Sequence, residues 1–482
     1  MKIKGLLLGT AAGLVAVSGA QAADLPVKAK VAAQYVKICS LYGVGFYYIP
    51  GTDTCVQIGG YVRADYYYNN VGGGAPSING APGRNTFTDT SPYATRHRAA
   101  IAIDGRSQTA YGTVRTLLQI GFSNENQQGS SSPSAYFNRA LIQFAGFTFG
   151  RSKSPFSIWS CNDSCRAAQN ILSSDNSAGG TNQLSYTLEL GGGLSATAWI
   201  EEQREGTTVN FSAAGASGIG AALADGSAGT EQYPDFGLNI LFQQAWGYVG
   251  ASVVAHNASG GYYGTTTTTG HPDERLGWAA EVGAEIKLPW LGNPRDRFGI
   301  DFAYGEGASK YSAGNNFVNA GLFGSGNQVA FGYFTDGAYI SGGQVQLTTS
   351  WNFNTAIEHY WLPNLRTSLY YTMGSVEYND VVKNSGWFCG LGGAAANRAF
   401  NNSTNCNPDF SIWQVGSRTN WSPVPNLNIG LDVFYTGVNT AFKGTASLAA
   451  NGARPAGIYT VSDQGQVSGT LRIQKNLVAG GE

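Results

Sequence analysis

The stretch Trp278-Ala279-Ala280-Glu281-Val282-Gly283-Ala284-Glu285-Ile286-Lys287-Leu288 decides the fold. Trp278, Ala280, Val282, Ala284, Ile286 and Leu288 share one parity, and Ala279, Glu281, Gly283, Glu285 and Lys287 share the other. Successive side chains of a strand point to opposite faces, so this is a strand with one apolar face and one charged face. The same pattern runs from Val56 to Tyr68, where Val56, Ile58, Val62, Ala64, Tyr66 and Tyr68 oppose Gln57, Gly59, Tyr61, Arg63 and Asp65. After Pro92, Ala99, Ile101 and Ile103 alternate with Arg96, Arg98, Asp104 and Arg106.

Similar segments lie near 109–122, 134–150, 181–190, 192–202, 235–244, 246–257, 296–305, 344–360, 365–378, 410–421, 426–438 and 464–477. That makes about fifteen strands, and a closed single-chain bacterial barrel needs an even number, so about sixteen are expected. Their connections alternate in length. Gly105–Gln108, Gly191-Gly192-Gly193, Leu362-Pro363-Asn364 and Ser422–Asn426 read as short turns. Between them lie long polar loops at 69–94, 123–133, 203–234, 258–275, 306–343, 379–409 and 439–463. Short turns at one end and long loops at the other, with strands apolar on one face throughout, indicate an all-β transmembrane antiparallel barrel. A secreted β-sandwich or solenoid predicts neither feature. Lipid cannot hydrogen-bond a backbone, so the sheet must close on itself, and the inner face of a wide barrel meets water and tolerates charge. Val282→Arg on the lipid face is then costly, whereas Glu281→Gln in the lumen leaves folding nearly intact. Tyr66, Tyr68, Tyr360, Trp361 and Trp421 sit where aromatic girdles would mark the two interfaces.

Composition agrees. Only 12% of the 482 residues are charged and 67 are glycine, about half the usual charge and twice the usual glycine. A net charge of −1 argues against a nucleic-acid binder. Met1–Ala22 has a basic start (Lys2, Lys4), an apolar stretch from Leu6 to Val17 and an Ala20-Gln21-Ala22 cleavage site, the pattern of a secretory signal. Export permits disulfides. The six cysteines form three close pairs, Cys39 with Cys55, Cys161 with Cys165 and Cys389 with Cys406, which is the favoured arrangement among the 15 that six cysteines allow. The four histidines lie away from them and no C-x-x-C occurs, so no metal site is expected, and no cofactor.

The mature N-terminus carries the most specific residues. Tyr35-Val36-Lys37-Ile38-Cys39, then Tyr42–Cys55 (YGVGFYYIPGTDTC), running into Gly59-Gly60-Tyr61-Val62-Arg63, resemble the porin family typical of alphaproteobacteria. So do Phe144–Arg151 and the last strand, Leu471–Leu477. The resemblance implies a trimeric outer-membrane barrel among lipid and lipopolysaccharide, passing small hydrophilic solutes and ions, with its third extracellular loop folded into the pore. The expected organisation is a signal peptide (1–22), an N-terminal periplasmic-side segment (23–55) and a barrel (56–482) containing a constriction loop at 151–181. One departure stands out: Leu477 occupies the place where the family usually ends in Phe, and Val478–Glu482 follow it.

Solute choice would then depend on charges facing each other across the narrowing. Arg63, Arg96, Arg98 and Arg115 lie on the polar parity of early strands, as does Arg139, although its strand's alternation slips near Gly146. The loop offers Asp163 and Asp175, together with Arg151, Lys153 and Arg166; Asp163 is placed to cap a short helix through Ile171. A basic wall against an acidic loop makes a transverse field, which orients dipolar solutes. The alternative for each arginine is a solvated lumen residue or an ion pair within the barrel. No G-x-S-x-G, Walker or H-E-x-x-H motif occurs, and Gly390–Ala395 fits a dinucleotide fingerprint only loosely, without a βαβ setting. The expected function is therefore passive diffusion. A substrate-selective channel and a barrel serving mainly as a surface adhesin or structural protein are the alternatives.

Overall fold

The computed structural model describes residues 37–69, 93–126, 133–159, 179–204, 207–210, 233–262, 266, 270–313, 319–324, 327–340, 342–384, 402–405, 407–448 and 456–478. Sixteen antiparallel strands form a closed barrel. They are β1 (Thr54–Tyr68), β2 (Tyr93–Thr109), β3 (Gly112–Asn126), β4 (Ser134–Phe144), β5 (Phe147–Ser152), β6 (Thr181–Gly191), β7 (Leu194–Glu201) and β8 (Asp235–Gln244). There follow β9 (Gly247–Ala258), β10 (Arg275–Lys287), β11 (Arg297–Glu306), β12 (Gln346–Leu362), β13 (Leu365–Tyr378), β14 (Phe410–Trp421), β15 (Leu427–Asn439) and β16 (Gln464–Asn476). Each pairs with the next, and β16 returns to β1 with Arg472 opposite Asp65, so the ring of sixteen strands has no open edge.

The parity of the opening stretch holds: on β10, Val282 is 55% exposed on the outside while Glu281 is 1% exposed on the inside. Tyr68 at the long-loop end, and Trp361 and Trp421 at the short-turn end, all face outward. Five of the seven short connections are two-residue turns.

Two expected features move. The segment 134–150 is two strands, because Ala145 and Gly146 both adopt positive φ (50° and 86°) and turn the chain within two residues. That hairpin supplies the sixteenth strand. Gly105–Gln108 is strand rather than turn; Gly105 pairs with both Val56 and Thr116, and the reversal falls at Ala110-Tyr111.

At the short-turn end, Cys39 and Cys55 form a disulfide that ties the N-terminal segment to β1, with Phe46 packed against it. Cys55 already belongs to β1, so the barrel begins two residues before the expected boundary at 56. The other two expected disulfides, Cys161 with Cys165 and Cys389 with Cys406, lie outside the described residues. The expected signal peptide lies outside them as well. Leu477 closes the chain by donating its N–H to the Gly60 carbonyl.

At the other end the long loops build structure of their own. Strands Asn319–Gly324, Gln328–Tyr333, Gly457–Val461, Lys443–Leu448 and Asn402–Asn405 form a five-stranded sheet. A short helix, α1 (Ser309–Ser312), packs against β10, β11 and β12, and Thr335–Tyr339, paired in parallel with Thr207–Asn210, joins the start of β12.

Candidate functional site

The lumen wall falls into two halves. In the first, arginines are answered by carboxylates on neighbouring strands. Asp65 stands between Arg96 of β2 and Arg472 of β16, its direct cross-strand neighbours, at 3.1 and 2.6 Å. The next inward row brings Arg63 and Arg98 face to face; Arg63 donates to Gln474 (2.7 Å) and Arg98 to Ser123 (3.2 Å). Arg115 pairs with Asp104 (2.9 Å), which also takes Arg106 (2.8 Å). Arg139 reaches the lumen because β4 carries a bulge where Gln119 and Ile120 pair with Arg139 and Phe137, leaving Asn138 over. One extra residue exchanges the two faces. The slip in alternation therefore lies at Asn138, before Gly146, and Arg139 donates to the Asn138 carbonyl.

The five predicted wall arginines thus all point inward, but Arg96 and Arg115 are held in ion pairs within the barrel. Arg472 was missed. Its strand alternates as the others do, but only barrel closure sets it beside Asp65.

The second half holds a length of chain. Beyond β5, the third long loop (153–180) is described at 153–159, and its residues meet successive wall strands. Gln183 of β6 donates to the Lys153 carbonyl (2.7 Å), and Ser154 donates to Glu201 of β7 (2.8 Å). Asn239 of β8 donates to the Pro155 carbonyl (2.9 Å), and Ser252 of β9 donates to the Phe156 carbonyl. On β10, Glu281 accepts the Ile158 N–H (2.8 Å), and Glu285 accepts the Trp159 indole N–H (3.3 Å). Ionised acceptors make such bonds roughly twice as strong as neutral ones.

Glycines shape the seat. Gly250 and Gly283 face each other across β9 and β10, and a Cβ on either would come 3.0–3.1 Å from Ile158. On β11, a Cβ at Gly299 would collide with the Trp159 ring, which packs on Ala356, Tyr370 and Phe434 farther round the wall. The polar parity first read at Glu281, Gly283 and Glu285 is therefore a docking surface. Glu281 is an anchor rather than a solvated lumen group.

Arg151 lies at the loop's base and pairs with Glu202 (3.3 Å). Lys153 contributes to a polar alcove of about 600 Å³ between the loop and β6–β8, with Ser157, Thr187, Glu189, Thr197 and Asn239. Asp163, Arg166 and Asp175 lie outside the described residues. Farther round, Glu358 takes Arg297 (2.9 Å) and Arg366 (3.3 Å). Among the described residues no group of His, Cys, Asp and Glu has the arrangement of a metal site.

A closed sixteen-stranded barrel with a charged lumen has counterparts. The Porin_2 family, a porin subfamily, matches residues 24–470. The chain belongs to the porin family. It is a multi-pass protein of the bacterial outer membrane. Porin Omp2b of Brucella suis is 35% identical over 213 residues, 42% of this chain and about half of that porin's length (52%). Omp2b of Brucella abortus (strain 2308) is 32% identical over 276 residues, 54% of this chain and 67% of its own. Among solved structures, the outer-membrane channel DcaP of Acinetobacter baumannii superposes with a TM-score of 0.55, covering 89% of this chain and 99% of that one at 14% identity. That likeness is one of fold.

Proposed function

We propose that this porin passes small hydrophilic solutes and ions by passive diffusion through its water-filled lumen, narrowed by loop 151–181 folded inward. The observation that carries this reading is the run 153–159, hydrogen-bonded in turn to inward-facing groups of β6, β7, β8, β9 and β10. A loop left loose in the lumen would obstruct flow erratically, whereas one fixed at each step defines a constant aperture. A disulfide between Cys161 and Cys165 would staple that loop further, and one between Cys389 and Cys406 would do the same for the seventh long loop. Selectivity would come from Arg63, Arg96, Arg98, Arg115 and Arg139 on one side. Facing them would be the β7–β12 carboxylates and the loop's own Arg151, Lys153, Asp163, Arg166 and Asp175. Two charges about 8 Å apart interact by roughly 2 kcal/mol at an effective dielectric of 20, enough for weak selectivity and too little for tight binding. The family resemblance supports a homotrimer among outer-membrane lipid and lipopolysaccharide.

The polar alcove beside Asn239 favours, as a second reading, a channel with some preference for solutes that form hydrogen bonds. Single-channel recording in a planar bilayer under a salt gradient separates the cases. Large steps closing in threes, with a small reversal potential, mark a trimeric diffusion pore. Concentration-dependent block by one solute class marks a selective channel. A folded barrel that gives no steps overturns both.

A further inference from the structure

A cluster of charged groups bordering the pore seat joins several parts of the chain at the long-loop end. His256, near the end of β9 and wholly buried, sets Nδ1 2.8 Å from Asp235 of β8 and Nε2 3.4 Å from Asp336 in the strand Thr335–Tyr339. Asp336 also accepts the backbone N–H and the hydroxyl of Ser309 at the start of α1 (both 2.7 Å). The Tyr311 hydroxyl of α1 reaches Asp235 (2.7 Å) and Glu201 (2.8 Å), and Glu201 in turn takes Ser154 and Thr181 (2.6 Å). The Phe156 ring of the third loop meets the Tyr311 ring edge to face at 4.9 Å. Arg204 lies over the other part of that ring (4.5 Å), with its backbone N–H on Asp235.

Both imidazole nitrogens therefore face carboxylates, and both can donate only when the ring carries two protons. The titratable and charged groups around it are Glu201, Asp235 and Asp336 against Arg204 and Lys310; with the imidazolium, three negative charges meet three positive ones. Burial, reinforced by Glu201 and Asp235, pushes the Tyr311 phenol well above its usual range, so it remains a donor. Burial pulls the Lys310 ammonium below its usual value, although Asp336 opposes this.

We infer that His256, Asp336 and Tyr311 are positioning residues for permeation, a latch through which the sixth long loop (307–345) holds the root of the third loop at Ser154 and Phe156. This rests on the diffusion-pore reading above. Losing the second imidazole proton removes one of the ring's two carboxylate contacts, Asp235 keeping Tyr311 and Arg204 and Asp336 keeping Ser309. The latch is therefore intact while the ring carries both protons and is lost as pH rises.

The test is the frequency of closures in single-channel records, from mildly acidic to alkaline pH, for wild type, His256→Gln and Asp336→Ala. Wild type should be quiet near neutrality and close about tenfold more often once the contact is lost, the size of shift expected from removing about one hydrogen bond from a two-state equilibrium. His256→Gln should show the alkaline behaviour at every pH. Asp336→Ala, which leaves the barrel wall untouched, should close more often near neutrality and serves if His256→Gln does not fold. Wild-type steps that ignore pH, with variants matching wild type, would overturn the latch and leave the pore reading standing. Wild-type barrels without steps would overturn both.

Discussion

The wall formed by β16, β1, β2 and β3 and the wall formed by β7 to β12 share one strand pattern and spend their charges differently. In the first, Arg472, Asp65 and Arg96 stand in one row across three strands and satisfy one another. In the second, Glu201, Glu281 and Glu285 turn to the third loop, over a floor of glycines where side chains would otherwise fill the space. Period-two alternation says only that a residue faces the lumen. Whether its charge is used up within the wall or left to hold something else depends on what barrel closure sets beside it.

The largest effect expected from breaking this contrast is at Asp65. Asp65→Ala takes the shared carboxylate from two buried arginines and should cost about 3–5 kcal/mol of barrel stability, measured by denaturant unfolding in detergent or lipid. A loss near that at Glu281 would remove the distinction between the halves. Next comes the lipid face beside Glu281: Val282→Arg should cost about 2–4 kcal/mol near the bilayer midplane, in the same unfolding assay. Equal tolerance of Val282→Arg and Glu281→Gln would contradict the assignment of faces.

Gly299→Val sharpens the picture of the seat. Its side chain would meet the Trp159 ring, so a stability loss of about 1–3 kcal/mol should accompany a changed conductance. In a Trp159→Ala background the added cost of Gly299→Val should shrink, while the conductance stays altered. The smallest stability effect is expected for Glu281→Gln, about 1 kcal/mol or less, because an amide oxygen can still accept the Ile158 N–H. Its signature should be a shift in reversal potential toward anions.

Much of the barrel was legible because alternation is dictated locally by the pleat, and the strands 235–244, 365–378 and 410–421 match to the residue. The 134–152 hairpin was hidden because Ala145-Gly146 turns the chain inside an apolar run with no Pro, Asn or Asp to mark it. The bulge at Asn138 was hidden for a related reason: its effect, a change of face, shows only against the partner strand β3. The arginines were placed on the correct face, but their partners were not, since Arg472 and Asp65 are 407 residues apart in sequence. Glu281, Gly283 and Glu285 were visible as one polar parity, while their use as a seat depends on Ile158 and Trp159 arriving from 123 to 126 residues away. His256 looked like a scattered histidine until Asp336 came to face it across a loop.

The most direct test of the central claim is the single-channel conductance of the double variant Glu281→Gln, Glu285→Gln beside wild type, with unfolding stability measured on the same preparations. If the β10 carboxylates hold the third loop in the pore, conductance and reversal potential should shift while stability stays within about 1 kcal/mol of wild type. Conductance and selectivity identical to wild type in a stable barrel would contradict the claim.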